Sequence, residues 1–145
     1  LAVRDLPGRL LVLELTETAL LAVPEAAYQG LQRLAARGVG IAVDDFGAGY
    51  ASLLYLRRYP ISVLKLDRSL VHGLTVSATD AALMRWTVEM AHSLGVTCVA
   101  EGVEDAGTVE ALVGLGCDEA QGFYLHPPVP PEEFVPGVGT EVSRA

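Results

Sequence analysis

Five strand-like segments, each ending in charged or polar residues, limit what this chain can fold into. They are Leu10–Leu15, Gly40–Val43, Ile61–Leu66, Val96–Ala100 and Asp118–Ala120, and each is followed by a helix or a turn. Strands that alternate with helices predict a parallel sheet with right-handed crossovers. In such a sheet the strand ends lie along one rim, where catalytic groups are usually found. The sequence therefore predicts an α/β fold with a polar, functional rim.

The segments between the strands have helical spacing of apolar residues. Helix starts are indicated by residues that suit a first turn or a cap, namely Pro24, Asp80 and Asp105. A shorter helix is predicted over Ser52–Arg58, ending before a proline. Trp86 and Met90 share a face of the helix that follows Asp80, and we expect both to pack in the core.

Five strands leave two architectures open. A closed (β/α)₈ barrel needs eight strands and typically about 250 residues, whereas this chain has 145 residues. The chain is therefore either an open α/β sheet or the C-terminal five-eighths of a barrel. Composition does not decide between the two.

Charge and composition exclude several classes of function. The formal net charge of −8 supplies no clustered cations, so we expect no binding to duplex nucleic acid. No apolar run reaches the roughly 18 residues of a membrane span, and no signal peptide is visible, so a cytoplasmic location is expected. Cys98 and Cys117 are expected to be buried free thiols in a reducing compartment.

The densest polar signal follows the second strand. Asp44 and Asp45 are adjacent carboxylates, so one of them can bridge two ions while its neighbour binds one. Phe46 and the glycines Gly47 and Gly49 come next, and glycine lets the backbone turn sharply and approach a ligand. The alternative interpretation is a solvated turn with an aspartate cap.

Two further strand ends carry buried charge. Glu14 lies inside an apolar strand, where an ionised carboxylate is costly unless it is paired or metal-bound, and Glu17 follows three residues later as a metal-site or capping residue. Lys65 and Asp67 share one face of the third strand because side chains alternate with a period of two. A simple ion pair between Lys65 and Asp67 is the alternative.

The last two strands complete the rim. Glu101 and Glu104 follow the fourth strand, and Gln121, a neutral amide that can orient a water, follows the fifth. Carboxylates crowded on one rim either raise each other's pKa or bind a cation. The sequence therefore predicts a divalent-metal site, and two ions held in this way suit in-line hydrolysis of a phosphodiester.

In order along the chain, these segments resemble the later motifs of the EAL domain family, which hydrolyses cyclic di-GMP to the linear dinucleotide pGpG. The matching segments are Glu14-Leu-Thr-Glu17, Asp44-Asp-Phe-Gly47 with Gly49-Tyr50, Lys65-Leu-Asp67, Ala100-Glu-Gly-Val-Glu104 and Gln121-Gly-Phe123. The resemblance implies a partial TIM-type (β/α) barrel of about five parallel strands with outer helices. It covers residues 1–130, with a C-terminal tail over 131–145.

The resemblance also implies roles for the rim residues. Glu14 and Asp44 would bind a first Mg²⁺ or Mn²⁺, and Asp44 and Asp45 a second, with Glu101 as a ligand or base near the second ion. Lys65 would hold the attacking water or a phosphate oxygen. Glu104 and Gln121 would orient waters, and Glu17 would anchor the loop from Phe46 to Ser52.

Some features depart from the family pattern. The family's name motif, Glu-Ala-Leu, and the metal-binding Asn that follows it belong to earlier strands of the family's barrel that this sequence does not include, so the first ion would be incompletely liganded. Ala48 and Ala51 replace common hydroxyl residues, Phe123 replaces a usual Tyr, and His126 stands where small polar residues are common.

Three functions remain open from the sequence. The first is a metal-dependent cyclic di-GMP phosphodiesterase of bacterial second-messenger signalling. The second is a catalytically inactive module that binds cyclic di-GMP or another protein. The third, an enolase-type Mg²⁺ lyase, is disfavoured by the adjacent Asp44 and Asp45. An incomplete barrel exposes sheet edges, so we also expect a homodimer, element swapping or pairing with an upstream regulatory domain.

Overall fold

The computed structural model describes residues 6–48 and 53–133 of the chain. Five strands form one parallel sheet in which every strand lies next to the one that precedes it in sequence. They are β1 (Val12–Thr16), β2 (Gly40–Phe46), β3 (Val63–Leu66), β4 (Thr97–Ala100) and β5 (Glu119–Ala120). This sequential order is that of a barrel wall, whereas a doubly wound sheet reverses its order at a switch point.

Six helices connect or flank the strands in the described part of the chain. They are α1 (Glu17–Leu21), α2 (Glu25–Ala35), α3 (Leu53–Arg58), α4 (Arg68–His72), α5 (Ala78–Ser93) and α6 (Ala106–Leu115). All five predicted strands are present; β2 starts at Gly40 as predicted, and the other four start one or two residues later than expected. Leu10 belongs to a 3-10 turn, Gly8–Leu10, rather than to β1.

Strand β2 departs from the prediction at its end. It continues past Val43 through both aspartates to Phe46. Val43 pairs with Leu64 and Phe46 pairs with Leu66, so three steps along β2 match only two along β3. One extra residue is therefore inserted in β2 at the aspartates, and Asp45 has a φ of 56°. This is a β-bulge, a feature that often re-aims side chains beside functional sites.

The hydrophobic core lies between the sheet and its helices. Alternate residues of the central strands point to the helices and are fully buried, among them Ile41, Leu64 and Leu66. From the helix layer, Met84 and Val88 of α5 pack into the same core. The opposite face of the strands carries the charged residues of the rim, which the core packing holds in place.

Several expectations about the helices need correction. Helix α5 begins at Ala78 and is capped by the hydroxyl of Ser77, which accepts from the backbone N–H of Asp80; Asp80 therefore lies in the first turn and is not the cap. Trp86 is 64% exposed and does not pack in the core, whereas Met90 is partly buried and packs against the core. The predicted cap Asp105 is confirmed. Ser52, the predicted start of α3, lies outside the described residues.

Candidate metal centre at the strand ends

Lys65 is the centre of the charged cluster on the rim. Its ammonium nitrogen lies 3.0 Å from Oε2 of Glu14, 3.0 Å from Oδ1 of Asp44 and 2.8 Å from Oε1 of Glu101. These four residues come from β1, β2, β3 and the end of β4. The structure therefore brings together four of the side chains that the sequence assigned to one rim.

The environment of Lys65 favours its charged form. Burial of the ammonium lowers the pKa of Lys65, but the contacts with Glu101, Asp44 and Glu14 outweigh this effect, so the pKa is raised overall. The predicted alternative, an ion pair with Asp67, is not formed: Lys65 pairs instead with three other carboxylates.

The bulge in β2 gathers the metal-ligand candidates. Carboxylate oxygens of Asp44, Asp45 and Glu101 all lie within 4.8 Å of one another. In a regular strand the adjacent Asp44 and Asp45 would point to opposite faces. Because the inserted residue and the left-handed backbone of Asp45 break this alternation, both carboxylates can face Glu101.

The donor set fits a hard divalent cation. Mg²⁺ and Mn²⁺ prefer oxygen ligands, and carboxylates are their usual protein ligands. Oδ1 of Asp44 is buried and accepts no hydrogen bond from the described residues, although the Lys65 ammonium lies 3.0 Å away as an ion pair. A buried carboxylate oxygen with spare coordination capacity is the expected state of a metal ligand.

Gln121 orients one member of the cluster. Its amide nitrogen Nε2 donates to Oε1 of Glu101 at 2.6 Å, the same oxygen that pairs with Lys65. The backbone of Gln121 is fixed in turn, because its N–H donates to the carbonyl of Ala100 at 2.8 Å. Glu101 is therefore held from two sides by a cation and an amide.

A cavity of about 610 Å³ opens beside the cluster. Asp45, Asp67, Glu101 and Gln121 line this cavity, together with three residues to which the sequence analysis assigned no role: Arg68, Phe123 and His126. Phe123 is 72% exposed, so its ring is available for stacking. The cavity thus joins metal-ligand candidates to a cation and an aromatic surface.

Arg68 and Asp67 reach the cavity through helix α4, which the sequence did not reveal. Asp67 caps this helix, and its carboxylate accepts from the backbone N–H of Ser69 at 2.9 Å. Hydrogen bonds from Ser69 hold the pKa of Asp67 below its usual range, although burial opposes them. Gly102, with a φ of 71°, packs against Arg68, and a Cβ at Gly102 would lie 2.6 Å from Cβ of Arg68. The available sequence signal for this helix was Asp67 itself, because aspartate directly after a strand often caps the start of a helix.

The loop after β2 is only partly described. Phe46 is buried in the core, and Gly47 has a φ of 98°, which explains the need for glycine. Gly49 lies outside the described residues. Glu17 stands at the start of α1, and its Oε2 is buried without a hydrogen-bond partner among the described residues.

Glu104 lies apart from the cluster. It is exposed and borders two smaller pockets with His72 and Gly102, but it does not line the 610 Å³ cavity. The structure therefore does not bring Glu104 together with Glu101 and Gln121. Its predicted role in orienting water stays a prediction.

The cysteines and histidines are not part of the rim cluster. Cys98 is buried, and burial raises the pKa of its thiol to about 12; burial likewise raises that of the partly buried Cys117 to about 11. The raised pKa values favour the protonated thiols, which are weaker nucleophiles than thiolates. His72 and His92 are exposed, and His92 pairs with Asp118 at 2.8 Å.

No helix in the described ranges has the length and apolar character needed to cross a bilayer.

Comparison with known proteins places these features in context. A model of the EAL domain family matches residues 2–128. The bifunctional diguanylate cyclase/cyclic di-GMP phosphodiesterase MucR of Pseudomonas aeruginosa is 44% identical over 128 residues, which are 88% of this chain and 19% of MucR. The cyclic di-GMP phosphodiesterase RocR of the same organism is 39% identical over 130 residues, 90% of this chain and 33% of RocR. The chain thus spans well under two thirds of these relatives.

Solved structures agree with the sequence comparison. A complex of the PaMucR phosphodiesterase with c-di-GMP superposes with a TM-score of 0.82 and 43% identity, covering 90% of this chain and 53% of that one. A manganese and cyclic di-GMP complex of Klebsiella pneumoniae BlrP1 gives a TM-score of 0.79 at 33% identity, covering 86% of this chain and 32% of that one.

Proposed function

This chain belongs to the EAL domain family, and from that membership we propose that it carries the metal-binding half of a phosphodiesterase that hydrolyses cyclic di-GMP to pGpG. The observation that carries the proposal is the approach of Asp44, Asp45 and Glu101 to within 4.8 Å, with the Lys65 ammonium in contact with two of them. A diester with two phosphates and two planar bases also suits a cavity that joins carboxylates to a cation and an aromatic ring.

In this proposal Asp44, Asp45 and Glu101 hold one Mg²⁺ or Mn²⁺, and Glu14 and Asp44 contribute to a second, incompletely liganded site. A divalent cation held by carboxylates lowers the pKa of a bound water and offsets negative charge on a leaving oxygen. The fit of these residues to such ions is the support for this assignment, together with the manganese complex of the relative BlrP1.

Lys65 and Gln121 have distinct parts in the proposed reaction. The ammonium of Lys65 is positioned to hold the attacking water or a phosphate oxygen, since it already lies among the carboxylates of the site. Gln121 fixes one oxygen of Glu101 by its 2.6 Å hydrogen bond, which leaves the second oxygen of Glu101 to act as a ligand or a base. Glu104 would orient a water from outside the cavity.

Two further residues that line the cavity, Arg68 and Phe123, are proposed to bind the substrate. Arg68 forms no ion pair within the described residues, so its charge is available to a phosphate of the substrate. Phe123 offers an exposed ring on which a base can stack. Asp67 fixes the start of helix α4 and with it the position of Arg68.

Glu17 and the loop after β2 are assigned a supporting role. Oε2 of Glu17 is buried near the end of β1 and has no hydrogen-bond partner among the described residues; its expected partner is the loop from Phe46 to Ser52 with Gly47 and Gly49. Anchoring this loop would hold Asp44 and Asp45 in the bulged conformation. The protein is proposed to act in the cytoplasm in second-messenger signalling.

A second candidate function is binding without hydrolysis. It is favoured by the coverage of only 53% of the PaMucR chain. In this case the chain is a cyclic di-GMP receptor or an interaction module, which pairs with another copy or with a regulatory domain.

One experiment separates the two functions. The chain is incubated with cyclic di-GMP and Mn²⁺, and pGpG is quantified by chromatography. Hydrolysis requires that Asp45→Asn reduces turnover by about 100-fold or more, because a metal ligand is lost, and that Glu110→Gln, which neutralises an exposed carboxylate of α6, leaves turnover unchanged. Binding of cyclic di-GMP that is insensitive to a chelator and yields no pGpG establishes the second function instead.

A further inference from the structure

We propose that Lys65 is a built-in counter-ion that competes with the divalent cation for the same carboxylates and so limits the metal affinity of the site. This inference rests on the proposed metal centre but concerns the strength of its binding rather than the reaction. It predicts that removing the ammonium tightens metal binding. If Lys65 instead supported the metal site, its removal would weaken metal binding.

The geometry is the basis of the proposal. Two of the three carboxylates that Lys65 contacts, Asp44 at 3.0 Å and Glu101 at 2.8 Å, belong to the group of three that could hold an ion. The third contact, Glu14 at 3.0 Å, is a carboxylate assigned to the other ion. The Lys65 ammonium therefore neutralises part of the negative charge that would bind both ions.

Burial makes this competition strong. The side chain of Lys65 is only 12% exposed, so water screens its charge poorly. A divalent cation within a few ångströms of the ammonium is repelled by it, and it also has to share oxygens that the ammonium already contacts. Binding of the cation therefore weakens the ion pairs of Lys65, or pushes the ammonium away from them.

No second cation takes the place of Lys65 in the described structure. Lys65 is the only lysine of the whole chain. The one ion pair that an arginine makes among the described residues is that of Arg58 with Glu25, on the surface and away from the rim. Among the described residues, neutralising Lys65 thus leaves Glu14, Asp44 and Glu101 without an ion-paired cationic side chain, and a metal ion becomes their main source of positive charge.

Metal binding to four purified proteins tests the proposal. Mn²⁺ is titrated calorimetrically, without nucleotide, into the wild-type chain, Lys65→Met, Arg58→Met and Asp45→Asn. We expect Lys65→Met to bind Mn²⁺ about tenfold more tightly than wild type, because a like charge is removed from the site. Arg58→Met, which breaks a surface ion pair of the same charge type, should match wild type.

The outcomes distinguish this inference from the proposed function. Equal or weaker Mn²⁺ binding by Lys65→Met, with wild-type binding that Asp45→Asn abolishes, overturns the role of Lys65 and leaves the metal centre intact. No binding by either wild type or Lys65→Met overturns both. Binding by Lys65→Met alone supports the inference in its strongest form.

A measurement on the wild-type protein covers the case in which Lys65→Met does not fold. Because the chain has a single lysine, reductive ¹³C-methylation labels only Lys65 and the N-terminal amine. We expect the Lys65 methyl resonance to shift progressively during titration with diamagnetic Mg²⁺ and to keep its position in Asp45→Asn. A resonance that Mg²⁺ leaves unmoved in the wild-type protein would refute the competition.

Discussion

Asp45 and Gly47 occupy left-handed backbone positions within three residues of each other. Asp45 has a φ of 56° and Gly47 a φ of 98°. Aspartate tolerates this region better than most residues, and glycine adopts it without cost. The two positions form the turn by which β2 leaves the sheet after its bulge, so the direction of the carboxylates at 44 and 45 depends on them.

Substitution of Gly47 tests this dependence. In Gly47→Ala the new Cβ would lie 2.3 Å from Cδ1 of Leu70, on a backbone that alanine adopts poorly. We expect a loss of about 1–3 kcal/mol in the free energy of unfolding, measured by urea denaturation. The control is Gly114→Ala in helix α6, where no atom lies within 4 Å of the new Cβ; there we expect a gain of roughly 0.5–1 kcal/mol. Equal changes in the free energy of unfolding for Gly47→Ala and Gly114→Ala would contradict the strain at Gly47.

At the scale of elements, helix starts were predictable where one cap residue stood alone. Asp105 was identified correctly because it is followed by an apolar helix with no competing cap. Ser77 and Asp80 stand three residues apart, and either could cap α5; the hydroxyl of Ser77 is the group that accepts the orphan N–H. Trp86 was misplaced because the buried stripe of α5 runs through Met84, Val88 and Ala91, one step around the helix from the predicted face.

The cap of helix α6 predicts a pH dependence. Hydrogen bonds from the backbone and side chain of Thr108 lower the pKa of Asp105 below its ordinary value of 3.8. A carboxyl whose folded pKa is depressed contributes stability above its unfolded pKa, and that contribution is lost as the pH falls through the folded pKa. Stability should therefore decrease below about pH 4 more steeply in wild type than in Asp105→Asn, which keeps a capping oxygen that does not titrate.

Denaturation of both proteins across the acidic range checks the dependence. Since other carboxylates titrate in both proteins, only the difference between their unfolding free energies reports on Asp105. A difference that does not change with pH would show that the Asp105–Thr108 contacts do not stabilise the charged form.

The strands and the rim were largely predictable, but the geometry of the site was not. Alternation and polar strand ends located Glu14, Lys65, Glu101 and Gln121 on one edge, because parallel βα units leave no other arrangement. The bulge at Asp44 and Asp45 was not predictable, since a one-residue insertion depends on pairing with β3 rather than on local sequence. Helix α4 was missed because it is only five residues long, although its cap Asp67 was a local signal, and Arg68 was missed with it.

At the scale of the whole molecule, the sheet leaves apolar surface along β1. In the described residues β1 pairs only with β2, and Val12 and Leu13 of β1 are 47% and 36% exposed. An exposed edge of this kind favours pairing with another chain. Because each strand lies next to its predecessor in sequence, β1 and β5 are the two edge strands of the sheet. The sheet thus contains five of the strands of a barrel.

Association through this edge is expected in solution. The 15.3 kDa chain should elute from size-exclusion chromatography with light scattering as a dimer or larger at up to about 100 µM. Val12→Lys should shift it towards the monomer, because a charge on an edge opposes strand pairing. Val76→Lys replaces a valine that is 84% exposed and lies outside β1, and it should leave the oligomeric state unchanged. A wild-type chain that stays monomeric throughout would refute the prediction.

The metal centre itself is tested most directly by locating the ion. Crystals of the chain grown with Mn²⁺ are measured at a wavelength where manganese scatters anomalously. The predicted result is an anomalous peak roughly 2–2.4 Å from oxygens of Asp44, Asp45 and Glu101, and its absence in Asp45→Asn. The contradictory result is a wild-type crystal without a peak at these carboxylates, or with manganese only elsewhere, such as at His92 and Asp118.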